Sequence, residues 1–355
     1  MKKIYLSIIL IYFISIAVTA QIPNGYYDDA LGLEGQALKE ALHDIIDDHN
    51  SLVYGNIYDI LDQTDQKPNG KVWDMYSDVP GGTPPYEYTF FNDECGNYSG
   101  EGSCYNKEHS WPKSWFGGKV YPMYSDLFHI VPTDGYVNGR RSNYPYGEVG
   151  SVTWLSQNGS KVGSNTYPGY SGTVFEPIDE YKGDFARGYF YMSTRYLNED
   201  GGWPGSAAVD GAELKTWTVN MLLEWHYADP VSQKEIDRCD AIYNLQNNRN
   251  PFIDHPIWVS RIWDPENAVQ EVNLSEIMNI YPSENGESLH LNSMGNGLGN
   301  KYELRLFNIS GQEIDTEMMN SSHHEINLRN LKKGCYILLL SNTESKQSFH
   351  YKFIR

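Results

Sequence analysis

The sequence predicts an α+β domain, with helices gathered around a small sheet, followed by a small C-terminal β-sandwich. Three observations carry this. Apolar residues recur at helical spacing in several separate stretches before residue 264. Segments rich in Gly, Pro, Asn and Asp lie between those stretches, where loops and short strands belong. Beyond about residue 275 the helical periods vanish and apolar residues alternate with polar ones. Such segregation of helices and strands is the mark of α+β rather than α/β architecture.

The elements follow in chain order. Residues 1–20 read as an export signal: Lys2 and Lys3, an apolar run over residues 4–18, and small residues ending at Ala20, with cleavage expected before Gln21. No later segment is long and apolar enough to span a bilayer, so no stable membrane insertion is expected after cleavage. The first domain is expected over residues 21–268. Leu38, Leu42, Ile45 and Ile46 predict one helix, and Tyr54, Ile57, Tyr58 and Leu61 another. Residues 67–103 read as loops with short strands, and residues 151–172 as a loop or hairpin. Helical spacing returns with Phe185, Tyr189, Met192 and Tyr196, then with Leu214, Trp217, Met221 and Trp225, and a third helix follows Pro230. The second domain is expected over residues 272–355. In it Tyr302, Leu304 and Leu306 predict a half-buried strand, Ser310-Gly311-Gln312 a turn, and Cys335 opens another apolar run.

Charge and cysteine content narrow the chemistry. A net charge of −19 is unusual for a chain that binds polyanions, but it is unevenly spread. Residues 105–145 hold five basic and three acidic residues, whereas the whole section between signal and C-terminal domain carries −20. Cys95 and Cys104 stand close together in a Gly/Ser/Asn-rich stretch of a chain bound for an oxidising compartment, which predicts a disulfide. Cys239 falls on an apolar stripe with Ile236 and Tyr243 and is expected as a buried thiol.

Metal-assisted hydrolysis of a phosphodiester needs an activated water, a cation at the phosphate and help for the leaving oxygen. A neutral histidine suits the first task, and carboxylate and amide oxygens suit Mg²⁺. Both occur in Asn106-Lys107-Glu108-His109-Ser110-Trp111-Pro112 and in the segment from Asp126 through Asp134-Gly135-Tyr136-Val137-Asn138-Gly139-Arg140-Arg141-Ser142-Asn143. An adjacent Glu-His pair by itself is as well read as a surface dipeptide.

The longer wording is more specific. Glu-His-Ser-Trp-Pro at residues 108–112 and Val-Asn-Gly-Arg-Arg-Ser-Asn at 137–143 resemble the bacterial endonuclease I family, nucleases of the ββα-metal (His-Me finger) type. Lys182-Gly183-Asp184-Phe185-Ala186-Arg187, Tyr189-Phe190-Tyr191-Met192, Asp229-Pro230-Val231 and Gln246-Asn247-Asn248-Arg249-Asn250-Pro251-Phe252 extend the likeness over residues 35–260. The resemblance implies a ββα-metal core in which His109 is the general base and Glu108 and Asn138 hold Mg²⁺, for which Ca²⁺ or Mn²⁺ could substitute. It implies hydrolysis of DNA and/or RNA with little sequence preference, leaving 5′-phosphate ends. It also puts the base on a strand and the metal amide on the next helix, for which Asp134 is a fitting N-cap.

The sequence departs from the family between His109 and Asp126, where no arginine stands to hold the phosphate. Arg187 and Arg141 are the substitutes, each either a phosphate contact or a salt bridge supporting the finger. His129 is expected to pack or hydrogen-bond beneath the site, and Asn248 and Asn250 to pin a loop. Trp111, Trp115 and Tyr136 could stack on bases or fill the core.

The C-terminal region resembles the sorting domain of type IX secretion substrates. The matching words are Ile280-Tyr281-Pro282, Leu306-Phe307-Asn308 with Ser310-Gly311, Ile326-Asn327-Leu328, residues 331–339 and the basic end Tyr351-Lys352-Phe353-Ile354-Arg355. This implies a partnership with the type IX secretion machinery and a secreted, extracellular or cell-surface location. A non-enzymatic secreted protein that binds nucleic acid or glycan is the alternative, with a glycan hydrolase behind it. No carboxylate pair stands out for the latter.

Overall fold

The apolar periods of the first domain become helices wherever a face can be buried. In this computed structural model residues 22–265, 278–283, 287–293, 302–308, 312–319, 321–343 and 348–355 are described. The expected export signal and the Ser310-Gly311 turn lie outside them. The chain divides between Trp263 and Asp264 into two compact units.

In the first unit, α1 (Gly35–Ile46) buries Leu38, Leu42 and Ile46. A 3₁₀ stretch (Tyr54–Ile60) then leads into α2 (Leu61–Thr64). Residues 67–103 form no strand, only isolated bridges such as Gln66 to Val72. The expected short strands fail because Gly, Pro and Asp are too dense there to sustain a ladder. Then β1 (Tyr105–His109) pairs antiparallel with β2 (Ile130–Asp134), with Tyr105 opposite Asp134 and His109 opposite Ile130. α3 (Gly135–Arg141) follows β2 directly and packs on both strands.

Three antiparallel strands come next, β3 (Val149–Leu155), β4 (Lys161–Asn165) and β5 (Thr173–Glu176), in that spatial order, so residues 151–172 are a hairpin. α4 (Lys182–Arg195) is buried on every face, and α1 and α5 pack against it. A small hairpin, β6 (Val209–Asp210) with β7 (Glu213–Leu214), precedes α5 (Thr216–Ala228). α6 (Gln233–Gln246), α7 (Pro251–Asp254) and α8 (Ile257–Trp263) complete the unit. Ser232 and Glu235 form a reciprocal capping box at the start of α6. Cys239 is buried in that helix as expected, but its neighbour on the stripe is Ile242, since Ile236 is 38% exposed.

The second unit is all β: β8 (Met278–Pro282), β9 (Ser288–Ser293), β10 (Tyr302–Asn308), β11 (Glu313–Met319), β12 (His323–Asn327), β13 (Cys335–Asn342) and β14 (Ser348–Ile354). They form two sheets, ordered β11-β10-β13-β14 and β12-β9-β8. The alternation of Tyr302, Leu304 and Leu306 points one face inward, where Leu289 and Leu291 of the other sheet share the core.

What positions the motif segments of the first unit is the packing at the N-terminus of α3. Asp134 caps the helix, its Oδ1 accepting from the Val137 N–H at 2.8 Å. Its Oδ2 accepts from the Tyr88 hydroxyl at 2.6 Å and from the Gly102 N–H at 2.8 Å. The expected disulfide joins Cys95 to Cys104, and the Cys104 carbonyl accepts from the Gly135 N–H at 2.9 Å. The disulfide lies so close that a Cβ at Gly135 would fall 2.4 Å from the Cys95 sulfur. The loop is therefore a clamp on the first turn of α3.

The paired variant Cys95→Ser/Cys104→Ser should lower the unfolding free energy by about 2–3 kcal/mol, as expected for a short cross-linked loop. Urea denaturation followed by near-ultraviolet circular dichroism measures this. A transition that does not move would show that the loop does not depend on its cross-link.

Candidate active site

β1, β2 and α3 bring Glu108, His109 and Arg141 to one cleft of about 310 Å³, lined also by Lys107, Pro112, Lys113, Ser114, Ser142 and Asn143. The register explains why. Glu108 and His109 are the last two residues of β1, and Arg141 is the last of α3, so strand end and helix end meet.

Glu108 is buried, and burial pushes its carboxyl up to about 7 against the opposing pull of Arg141 and Tyr76. Arg141 Nη1 donates to Glu108 Oε1 at 2.8 Å, and the Tyr76 hydroxyl donates to the same oxygen at 3.1 Å. Oε2 takes part in neither bond. Arg141 also grips two carbonyls, with Nη1 on His109 at 2.9 Å and Nη2 on Ser110 at 2.5 Å. Arg141 therefore lines the cleft as the bracket of Glu108.

His109 offers its Nε2 to the Tyr124 carbonyl at 3.3 Å. A carbonyl only accepts, so Nε2 carries the proton and Nδ1 keeps its lone pair. The imidazole lies nearly parallel to the rings of Tyr124 and Tyr54, at centroid distances of 5.4 and 5.5 Å. Burial, then the nearby His129, Lys113 and Arg141, hold it well below the ordinary histidine range, so it is neutral at neutral pH.

Asn138 projects from the middle of α3 and is half buried. Its amide nitrogen donates to Asn106 Oδ1 at 2.7 Å, which fixes the orientation of the amide. No described residue donates to its own Oδ1. Asn138 is not among the residues that line the cleft, but its amide carbonyl on α3 and the Glu108 carboxylate on the adjoining β1 are hard oxygen donors of the kind that suits Mg²⁺ with water completing the shell.

The other residues singled out in the sequence lie elsewhere. Arg187 is fully buried and does not line the cleft; its Nε and Nη2 clasp the two oxygens of Glu235 at 2.5 and 2.8 Å, and Nη1 donates to the Asp229 carbonyl at 2.8 Å. It ties α4 to the capping box of α6. His129 is buried and its Nε2 donates to the Met123 carbonyl at 2.7 Å. Asn248 and Asn250 pin a loop: Asn248 donates to the Tyr191 hydroxyl at 2.7 Å, and Asn250 caps α7 and donates to the Arg187 carbonyl at 3.1 Å. Trp111 and Trp115 are core residues. Tyr136 is half buried beside Arg140, whose guanidinium donates to its hydroxyl at 2.8 Å.

Two contributors were not visible in the sequence. Tyr124 acts through its backbone carbonyl, which no side-chain pattern reports. Asp126 anchors the turn that carries it. Burial opposes its ionisation, but His49, His129 and hydrogen bonds hold it below the usual carboxylate range. Tyr191 and Tyr196 donate to its Oδ2 at 2.9 and 2.8 Å. A second acidic group, His43, Asp47 and Glu199, also converges in the first unit. Its cation is already present in the fold as Arg195, which pairs with Asp47 at 3.0 Å and Glu199 at 2.5 Å.

Known proteins resemble the chain over both of its units. Residues 34–257 match the family model described as Endonuclease I, and residues 279–354 match that of the Secretion system C-terminal sorting domain. An Extracellular ribonuclease of Bacillus amyloliquefaciens is 37% identical over 248 residues, covering 67% of this chain and 78% of that protein. An Extracellular ribonuclease of Bacillus subtilis (strain 168) is 36% identical over 253 residues, with the same coverage of 67% and 78%. Endonuclease-1 of Buchnera aphidicola subsp. Acyrthosiphon pisum is 29% identical over 130 residues, covering 36% of this chain and 44% of that protein.

Removing Arg141 leaves the Glu108 carboxylate buried without its counter-ion, so Arg141→Ala should cost about 3–5 kcal/mol of stability. Neutralising the partner should recover part of that loss in Arg141→Ala/Glu108→Gln. Urea titration of the two single variants and the double variant reads the coupling. Strict additivity would mean that the pair does not carry the strand-to-helix junction.

Proposed function

The chain belongs to the endonuclease I family, and on that premise we propose that it is an exported, Mg²⁺-dependent endonuclease acting on RNA and DNA with little sequence preference. It is a nuclease with a type IX C-terminal sorting domain, and it is secreted or held at the cell surface. The finer reading is that β1, β2 and α3 form a ββα-metal finger. The single observation that carries the reading is the junction at which Glu108 and His109 end β1 beside the helix that bears Asn138.

Each residue has a distinct task. His109, its Nε2 proton committed to the Tyr124 carbonyl, presents Nδ1 to the attacking water and takes its proton. Glu108 and Asn138 would hold the cation through oxygen atoms. Arg141 and Tyr76 hold Glu108 by its Oε1, and Asn106 holds Asn138 by its nitrogen, so both are oriented before substrate arrives. When bound, Mg²⁺ supplies Lewis-acid polarisation of the phosphate and neutralises charge at the leaving oxygen. Attack by water breaks the bond from phosphorus to the 3′ oxygen, and the departing oxygen takes up a proton from solvent, leaving a 5′-phosphate and a 3′-hydroxyl. Arg187 is assigned to the support of α4 and α6 rather than to the phosphate.

RNA is included because two relatives are named as ribonucleases, and DNA because the finger's contacts address phosphate and sugar rather than base edges. The sorting domain implies the type IX machinery as the export partner.

The test is incubation of the purified mature protein with supercoiled plasmid and with RNA, in Mg²⁺ and in EDTA. Cleavage in Mg²⁺ should vanish in EDTA and return when the ion is restored. His109→Ala should lower the rate by roughly 10²–10⁴-fold with an unchanged circular dichroism spectrum. Inertness of the wild type toward every nucleic acid would overturn the function. An undiminished rate in His109→Ala would overturn the mechanism.

A further inference from the structure

Three cations line the cleft, Lys107, Lys113 and Arg141, and they fall into two kinds. Arg141 is buried and enclosed by Glu108 and the carbonyls of His109 and Ser110. Lys107 donates to the Tyr54 carbonyl at 3.1 Å and lies over the Tyr54 and Tyr58 rings at 4.2 and 4.1 Å. Lys113 alone of these three is exposed, and its ammonium forms no ion pair or hydrogen bond among the described residues.

Three neutral groups that can donate hydrogen bonds border the cleft with it: the hydroxyls of Ser114 and Ser142 and the amide of Asn143. All three are exposed, and Asn143 Nδ2 lies 3.5 Å from Ser114 Oγ, linking the wall that follows β1 to the turn that follows α3. Ser142 sits at φ 54° and ψ −126°, a conformation costly for a residue with a side chain. That turn places residues 142 and 143 on the rim rather than continuing the helix. Glu108 is the sole acid lining the cleft, and it is bound to Arg141. A mobile ammonium with neutral donors and no free carboxylate suits a phosphate diester and repels no anion.

We propose that Lys113, with Ser114, Ser142 and Asn143, forms a subsite for a backbone phosphate bordering the scissile one, and so supplies the substrate grip that Arg141 and Arg187 are not free to give. The inference rests on the nuclease reading above and adds to it the residues that seat the strand. It accounts for substrate capture by a chain of net charge −19, because the attraction is local: Lys113 lines the same cleft as His109. The ammonium on its flexible stem would follow the backbone of either nucleic acid without reading bases.

The experiment uses the mature protein carrying His109→Ala, so that substrate is bound without being cut, and a fluorescein-labelled 12-base-pair DNA duplex as probe. Dissociation constants are measured by anisotropy in Mg²⁺ across a range of KCl. Adding Lys113→Ala should weaken binding about tenfold at low salt and reduce the slope of log K against log salt by about one. Lys113→Arg should restore most of both. A duplex whose linkages are all neutral methylphosphonates should bind equally with and without Lys113, and a further loss on that duplex in Lys113→Ala would overturn the phosphate as the group that Lys113 holds. Equal affinity and salt slope with and without Lys113 would overturn the subsite while plasmid cleavage by the wild type left the nuclease reading standing. A wild type that cleaves nothing removes both readings together.

Discussion

A buried carboxylate must be compensated, and the site is built around that requirement at Glu108. Taken out of water, its charge is stable only with a counter-ion and further donors. Arg141 and Tyr76 provide them on one oxygen. Because Arg141 also grips the His109 and Ser110 carbonyls, the end of β1 and the end of α3 cannot separate without exposing the charge. The positions of His109 and Asn138 follow from that junction. The Tyr189 hydroxyl donates to the Ser110 carbonyl at 2.9 Å, and the Tyr146 ring lies 4.7 Å beneath the guanidinium, so the bracket is itself held from behind.

The same rule explains two compositional oddities, the excess of acid and the 28 tyrosines. Several carboxylates of the first unit are buried, and phenolic hydroxyls repeatedly complete their shells. Tyr88 donates to Asp134, Tyr191 and Tyr196 to Asp126, Tyr181 to Asp78 and Tyr76 to Glu108. Tyrosine suits this because its ring fills core volume while its hydroxyl satisfies a lone pair. Many tyrosines that could be read as a sugar- or base-binding surface are thus interior donors. Part of the net charge also resides where a passing polyanion does not meet it, and the cleft is free to be locally basic.

Much of this was legible in the sequence because it is local. The helical periods of residues 38–46 and 185–196, the cap at Asp134 and the Cys95–Cys104 bond all join residues near in the chain. The ends of ion pairs were not legible. Arg187 and Glu235 are 48 residues apart, and Arg141 and Glu108 are 33 apart, so a sequence shows a cation without its partner. The loops of residues 67–103 were misread as holding strands for a related reason. Their polar groups are satisfied by distant partners, as when Asp74 Oδ2 accepts from the Asp134 N–H at 2.9 Å.

The division between enclosed and free cations has a physical logic. Arginine offers a planar fork that can hold a carboxylate and two carbonyls at once, which is what a fixed bracket needs. A substrate backbone slides, turns and differs between DNA and RNA, so a rigid fork would favour one geometry. Lysine carries its charge as a point on a flexible stem and keeps its attraction as the phosphate shifts. Arg141 thus stabilises the geometry that must not move, and in the proposed subsite Lys113 would serve the partner that does. The low sequence preference proposed for the site would then follow from the residue types themselves, since neither group is placed to report the identity of a base.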